Sequence, residues 1–207
     1  MRILTLGLLL SLLAWAQPVL KSLSIYEKKP NYTITVRYPG PNAAALRLVR
    51  EEIAAFKREE LQPGCILDVN YEVVYSSAKF TSVLFSGYAN LGGAHPNGIQ
   101  KTLLLSSTGQ SIALQQCFQG NGWLKALETY CRQDLQRQKL DSDKDWILTG
   151  TAAKPENYQL VLPTSKGLRV IFTDYQVAPH AAGPQEVTVP YSVVAPHINP
   201  KGPLAGQ

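Results

Sequence analysis

The sequence predicts an α+β fold: antiparallel sheets of about eight strands, with two main amphipathic helices packed on one face. Three observations carry this. Several short stretches alternate apolar and polar residues, two longer ones repeat apolar residues at steps of three and four, and most links between strands are too short for a crossover helix. The 207 residues are 45% apolar and 17% charged, a balance that excludes intrinsic disorder and supports one or two domains with a buried core. Twenty basic against 15 acidic residues give a net charge of +5. That excess contains no basic run able to track phosphates, so no nucleic-acid partner is expected.

The elements follow in order. Ser22 to Glu27 and Tyr32 to Tyr38 read as a hairpin. Tyr32, Ile34, Val36 and Tyr38 alternate with Thr33, Thr35 and Arg37, and Pro30-Asn31 supplies turn chemistry. Pro39-Gly40-Pro41 stops the strand and Asn42 can cap a helix from Ala43 to Leu61, whose inner stripe is Leu46, Val49, Ile53 and Phe56. A meander follows: Asp68 to Tyr75, Phe80 to Tyr88, Ile99 to Ser106 and Ser111 to Leu114. Its joints are Ser76-Ser77-Ala78-Lys79 and Ser107-Thr108-Gly109-Gln110. Gly122 to Lys139 reads as the second helix, with Leu124, Leu127, Cys131 and Leu135 inward. After a charged loop (Asp141, Asp143, Lys144, Asp145) come three last strands, Tyr158 to Leu162, Leu168 to Asp174 and Val187 to Val194.

The two ends differ from the middle. Arg2, the apolar run Ile3 to Leu13 and the small residues of Ala14-Trp15-Ala16 read as a secretory signal cleaved before Gln17. The run is too short to span about 30 Å of hydrocarbon, which takes about 20 residues, and no membrane span is expected after cleavage. The organisation is therefore a signal peptide over 1–16, a single module over 17–194 and a Pro/Gly-rich tail over 195–207, expected to be mobile. The product is expected to be secreted or periplasmic.

Outside the cytoplasm cysteines oxidise. Cys65, Cys117 and Cys131 allow three pairings. Cys117–Cys131 is favoured because both flank the turn Gln119-Gly120-Asn121-Gly122; its loop of about 14 residues would contribute about 3 kcal/mol. Three reduced, buried thiols are the alternative. The absence of C-x-x-C argues against a zinc ribbon or a thioredoxin-type site.

Two stretches go beyond pattern: Leu91-Gly92-Gly93-Ala94-His95-Pro96-Asn97-Gly98, and Phe172-Thr173-Asp174-Tyr175-Gln176-Val177-Ala178-Pro179-His180-Ala181-Ala182-Gly183 followed by Val187-Thr188-Val189-Pro190-Tyr191. Their order and spacing resemble the bacterial extracytoplasmic family DUF3298, usually preceded by a DUF4163 segment. The resemblance divides the module into a DUF4163-like part over 17–90 and a DUF3298-like part over 91–194. It implies a secreted or membrane-tethered protein. The same module forms the outer part of an anti-sigma factor that looks to be a lysozyme receptor, and precedes the catalytic domain of a peptidoglycan deacetylase. The sequence shows neither a transmembrane helix nor such a catalytic domain. It carries His180 where the family typically has Tyr.

The distinctive residues are loop residues. Gly93 beside Gly92 allows a sharp turn. His95 and Asn97 open the next segment, and Tyr175 and His180 sit in the second loop, with Tyr191 beyond it. His95 has three readings: locking its loop through backbone hydrogen bonds, contacting a ligand, or acting as a base. Tyr175 and Tyr191 read either as buried aromatics with satisfied hydroxyls or as glycan-stacking platforms. Histidines at 95, 180 and 197 lack metal-ligand spacing, so neither metal nor other cofactor is expected. No G-x-S-x-G occurs, and Ser86-Gly87 falls inside a strand. The expectation is a non-catalytic binding module of the cell envelope, its partner peptidoglycan or a lysozyme-like protein, contacted through Gly93, His95, Asn97, Tyr175, His180 and Tyr191. The alternatives are a cell-wall hydrolase or deacetylase using His95, and a structural envelope protein.

Overall fold

The computed structural model describes residues 20–138 and 144–207; the expected signal peptide over 1–16 and residues 139–143 of the charged loop lie outside them. The chain is α+β, with nine strands in two sheets among the described residues. β1 (Lys21–Lys29) and β2 (Tyr32–Gly40) form the hairpin, and every second residue of β2, Ile34, Val36 and Tyr38, is buried. α1 (Ala43–Phe56) starts where Asn42 accepts a hydrogen bond from the Ala45 amide at 2.9 Å. The helix stops at Phe56, short of Leu61, because Lys57-Arg58-Glu59-Glu60 offers no apolar side chain to the core.

β3 (Cys65–Ser76), β4 (Phe80–Asn90), β5 (Asn97–Ser106) and β6 (Ser111–Ile112) complete a six-stranded sheet in the order β1-β2-β3-β4-β5-β6. The expectation of purely antiparallel sheets is corrected at one joint. β3 runs parallel to β2, since α1 returns the chain to the same end before β3 begins. β6 pairs with Leu104 and Leu105, and among the described residues the outer edge of β5 over Asn97–Leu103 carries no ladder.

The second half contains α2 (Gly122–Arg137), α3 (Lys144–Gly150), β7 (Val161–Pro163), β8 (Leu168–Phe172), β9 (Gln185–Val189) and α4 (Tyr191–Val194). α3 lies where a charged loop was expected. Tyr158 closes a 3-10 turn rather than opening a strand. The last strand ends at Val189, because Pro190 has no N–H to donate and Tyr191 starts a helical turn instead. β7-β8-β9 form a separate antiparallel sheet.

Two cores result. α1 covers one face of the large sheet with Ala45, Val49 and Phe56 against Ile34, Val36, Leu67 and Phe85. α2 packs Trp123, Leu127, Cys131 and Leu135 against Val170, Phe172, Val187 and Val189 of the small sheet, joined by Phe80 and Leu104 of the large one. The helices thus serve different cores rather than one shared face. A third, small cluster, Leu84 with Leu162 and Ile171, fastens the back of the large sheet to the small one.

Two further expectations change. The C-terminal tail is docked: Leu204 is fully buried, the Asn199 amide donates to Cys117 O at 2.9 Å, and Lys79 reaches Ala205 O. The Cys117–Cys131 bridge is not formed; all three cysteines are free and buried. α2 carries Cys131 about 13 Å along its axis beyond Gly122 at 1.5 Å per residue, which removes it from the turn that was to hold the pair. Burial pushes the Cys117 and Cys131 thiols up to about 12, so both are inert as nucleophiles at neutral pH.

Candidate functional site

The two distinctive loops meet over the uncovered part of the large sheet. Leu84 on β4 is buried under the small sheet, but Ser86 beyond it is exposed, and there the two sheets part. The gap is a cleft of about 590 Å³, floored by Ser86 and Gly87 of β4 and Asn97 to Gln100 of β5. Its wall is Thr173, Asp174, Tyr175, His180 and Pro184, and His95 and Pro96 close one end. The floor can come so close because β4 has a glycine there: a Cβ on Gly87 would stand 2.0 Å from Asp68 O of β3.

Each loop is held from behind. Beyond Phe172 at the end of β8, the Thr173 amide donates to Gln176 Oε1 at 3.1 Å. The Gln176 carboxamide then donates to Gly150 O at 3.1 Å and Asn157 O at 3.0 Å, while Val177 and Ala178 are buried. Tyr175 between them has φ +64°, a left-handed conformation uncommon for an aromatic residue. That backbone turns its ring outward, leaving Tyr175 60% exposed. In the other loop Gly92 takes φ +84°, which suits glycine, and its amide donates to Asn90 Oδ1 at 2.9 Å.

The rings form a continuous row. Trp146 of α3 lies 6.3 Å from Tyr175, centroid to centroid. Tyr175 is stacked on His180 at 5.3 Å and 15°, and His180 on His95 at 4.9 Å and 30°. His180 keeps 40% of its side chain exposed, and His95 is exposed. Among the described residues, the one hydrogen-bonding contact of the His95 ring is local, Nδ1 to Pro96 O at 3.4 Å. Behind the row, Asp174 Oδ2 stands 3.3 Å from His180 Nδ1. The groups are not aligned for a hydrogen bond, and Asp174 Oδ1 and His180 Nδ1 are shut off from solvent without a hydrogen-bond partner among the described residues. A buried carboxylate oxygen without a donor is costly, a feature that collects at functional sites.

Of the sequence-derived candidates, His95, Asn97, Tyr175 and His180 line one cleft. Gly93 lies in the exposed loop but does not line it. Tyr191 belongs elsewhere: half-buried against the second core, it donates its hydroxyl to Thr164 O at 2.8 Å, and burial pushes its phenol up. Sequence reasoning passed over Asp174, Trp146 and Gln100, and weighed Ser86 only as a nucleophile. Asp174 was inside a quoted motif, six residues before His180; the others have no local signal. Among the described residues no group of three or more His, Cys, Asp or Glu side chains is placed to hold a metal ion, and no helix is long and apolar enough to cross a membrane.

Residues 118–192 match the family model of DUF3298, described as a protein of unknown function. The chain is 25% identical over 178 residues to the peptidoglycan-N-acetylmuramic acid deacetylase PdaC of Bacillus subtilis (strain 168); the match takes in 79% of this chain and 38% of that protein. In fold it is similar to a DUF3298 family protein from Pseudomonas aeruginosa PAO1, with a TM-score of 0.69 at 17% identity, covering 89% of this chain and 96% of that one. A member of the same family from Bacteroides fragilis NCTC 9343 gives a TM-score of 0.62 at 15% identity, covering 92% and 97%.

Proposed function

Starting from a chain whose residues 118–192 match DUF3298, we propose that it is an extracytoplasmic, non-catalytic binding module of the bacterial cell envelope, and that its cleft holds a cell-wall glycan. The observation that carries this is the stack Tyr175–His180–His95 lining the cleft, with Trp146 beside Tyr175. Tyr175, 60% exposed at the end of the stack, offers ring surface to the apolar C–H face of a sugar, and the imidazole edges beside it can pair with hydroxyls. The lining contains Asp174 and no Lys or Arg, which suits a neutral polyol better than a phosphodiester. Two supports come from outside the cleft: the Arg2 to Ala16 stretch has the pattern of an export signal, and PdaC acts, by its name, on a peptidoglycan sugar. The chain spans under two fifths of PdaC, so the reading takes from it the kind of ligand and not the reaction.

The test is sedimentation with insoluble peptidoglycan. The protein is expected in the pellet with no fragments or acetate released, and Tyr175→Ala or His180→Ala should cut retention about tenfold or more, the loss of one well-packed contact. Acetate release abolished by His95→Ala would establish the deacetylase alternative. Capture of a lysozyme-type protein without glycan binding would make the partner a protein, and retention unaffected by either variant would remove the cleft from the account.

A further inference from the structure

One charge in the cleft is left unmatched by the fold. Among the described residues, Asp174 is the one Asp, Glu, Lys or Arg in the lining, although the chain as a whole carries +5. Other carboxylates of similar cover are matched. Glu27, Glu52, Glu128 and Asp134 keep 10–30% of their side chains exposed, and each has a Lys or Arg nitrogen within 3.5 Å. Among the described residues the one ion-pair contact of Asp174, 26% exposed, is with His180, in a geometry that makes no hydrogen bond.

The group also stands where a ligand passes. A Cβ on Gly98 would lie 3.7 Å from Asp174 Oδ2, so this oxygen looks across the gap at a floor residue with no side chain. Tyr175, next in the chain, holds its ring exposed in the same wall. A partly covered carboxylate has lost some of its hydration, and here no hydrogen bond replaces it. A cation with N–H donors supplies both the opposite charge and the missing donor, and an aromatic face beside it adds a cation–π contact. A metal ion is the poorer match, since no group of three His, Cys, Asp or Glu among the described residues is placed to complete its shell.

We propose that Asp174 selects a primary ammonium group carried by the glycan: the stacked rings hold the sugar, and the carboxylate holds the charge of a substituent. The proposal rests on the glycan reading of the cleft and narrows it, from any sugar that stacks to one with a free amine beside it. In a cell-wall polymer that amine has two sources, a sugar nitrogen without its acetyl group or an amino group of the peptide stem. Both present the same three N–H donors to Asp174.

The experiment is calorimetry at pH 7, where an ammonium is charged and a free imidazole is mostly neutral, with two matched pairs. One pair is the glucosamine tetramer and the N-acetylglucosamine tetramer. The other is a muramyl tripeptide ending in lysine, its ε-amine free or acetylated. In at least one pair the charged member is expected to bind about tenfold more tightly, as a charge-assisted hydrogen bond gives, and the pair concerned identifies the source. Raising KCl from about 50 to about 500 mM should shrink that ratio in the unaltered protein. Asp174→Asn should bring it to about one, with circular dichroism checking the fold. Equal affinities within both pairs, tighter binding of the acetylated members, or a ratio that survives in Asp174→Asn overturns the ammonium subsite, and neutral members that still bind leave the glycan reading standing. No binding by any of these ligands overturns both.

Discussion

Tyr175 is both strained and exposed, and two substitutions separate these properties. Its ring is 40% covered, from an exposure of 60%; for a tyrosine that buries about 200 Å² when fully packed, this is about 80 Å². At about 25 cal/mol per Å² the ring contributes at most about 2 kcal/mol. Tyr175→Ala keeps a Cβ at φ +64° and loses the ring, so it should destabilise the chain by about 1–2 kcal/mol, at about 2–4 °C of melting temperature per kcal/mol for this size. Tyr175→Gly loses the same ring and also relieves a left-handed penalty of about 1–2 kcal/mol, offset by about 0.5–1 kcal/mol of extra unfolded-state freedom. The glycine variant should therefore be more stable than the alanine variant by about 0.5–1 kcal/mol, while the two are equally poor at sedimenting with peptidoglycan. Urea unfolding of the three proteins measures the first part. An alanine variant at least as stable as the glycine one would refute the argument that backbone strain is spent on presenting the ring.

Three other outcomes follow from the packing. Cys117 and Cys131 should resist iodoacetamide in the folded chain at pH 8 and react on unfolding, read by mass spectrometry, because burial holds both thiols near 12. Glu128→Gln should cost about 2 kcal/mol in urea unfolding at pH 7, since its carboxylate accepts from Lys125 and Arg132, each at 2.6 Å. The Lys125 hydrogen bond, then that of Arg132, holds the Glu128 carboxyl below the usual range. Its contribution is thus complete above the unfolded value of about 4.3 and is lost as pH falls through the lower folded one; the penalty of the Gln variant should shrink between pH 5 and pH 3. Leu204→Ala should cost about 2–4 kcal/mol if the tail is part of the second core, and a melting temperature equal to wild type would mean that it is not.

Much of this architecture was legible because the local signals agreed with one another. Period-two alternation through Tyr32 to Tyr38 marked β2, and Asn42 capped α1 where the spacing changed. What failed were features decided by the rest of the chain. Parallel pairing of β3 with β2 depends on where α1 delivers the chain, which alternation does not record. Val187 to Val194 looked continuous because valines fill it, yet Pro190 splits it into strand and helix. α3 has seven residues, too few for its period to show. In the cleft, loop composition found His95 and His180, but their stacking depends on two loops 85 positions apart in sequence meeting across separate sheets. Tyr191 shows the converse: it resembles a platform residue in sequence, and a single hydrogen bond to Thr164 makes it part of the framework.

The thin seam between the two cores has a bearing on motion. Apart from Phe80 and Leu104, the buried apolar fastening at the back of the cleft is Leu84 with Leu162 and Ile171. The floor is rooted in one core and the wall in the other, and the buried hydrogen bond from Ser82 Oγ to Pro163 O at 2.7 Å ties the two sheets together beside that cluster. A ligand spanning floor and wall would act as a wedge or a clasp, and amide exchange along β7 and β8 would register its arrival before any change at β1 and β2.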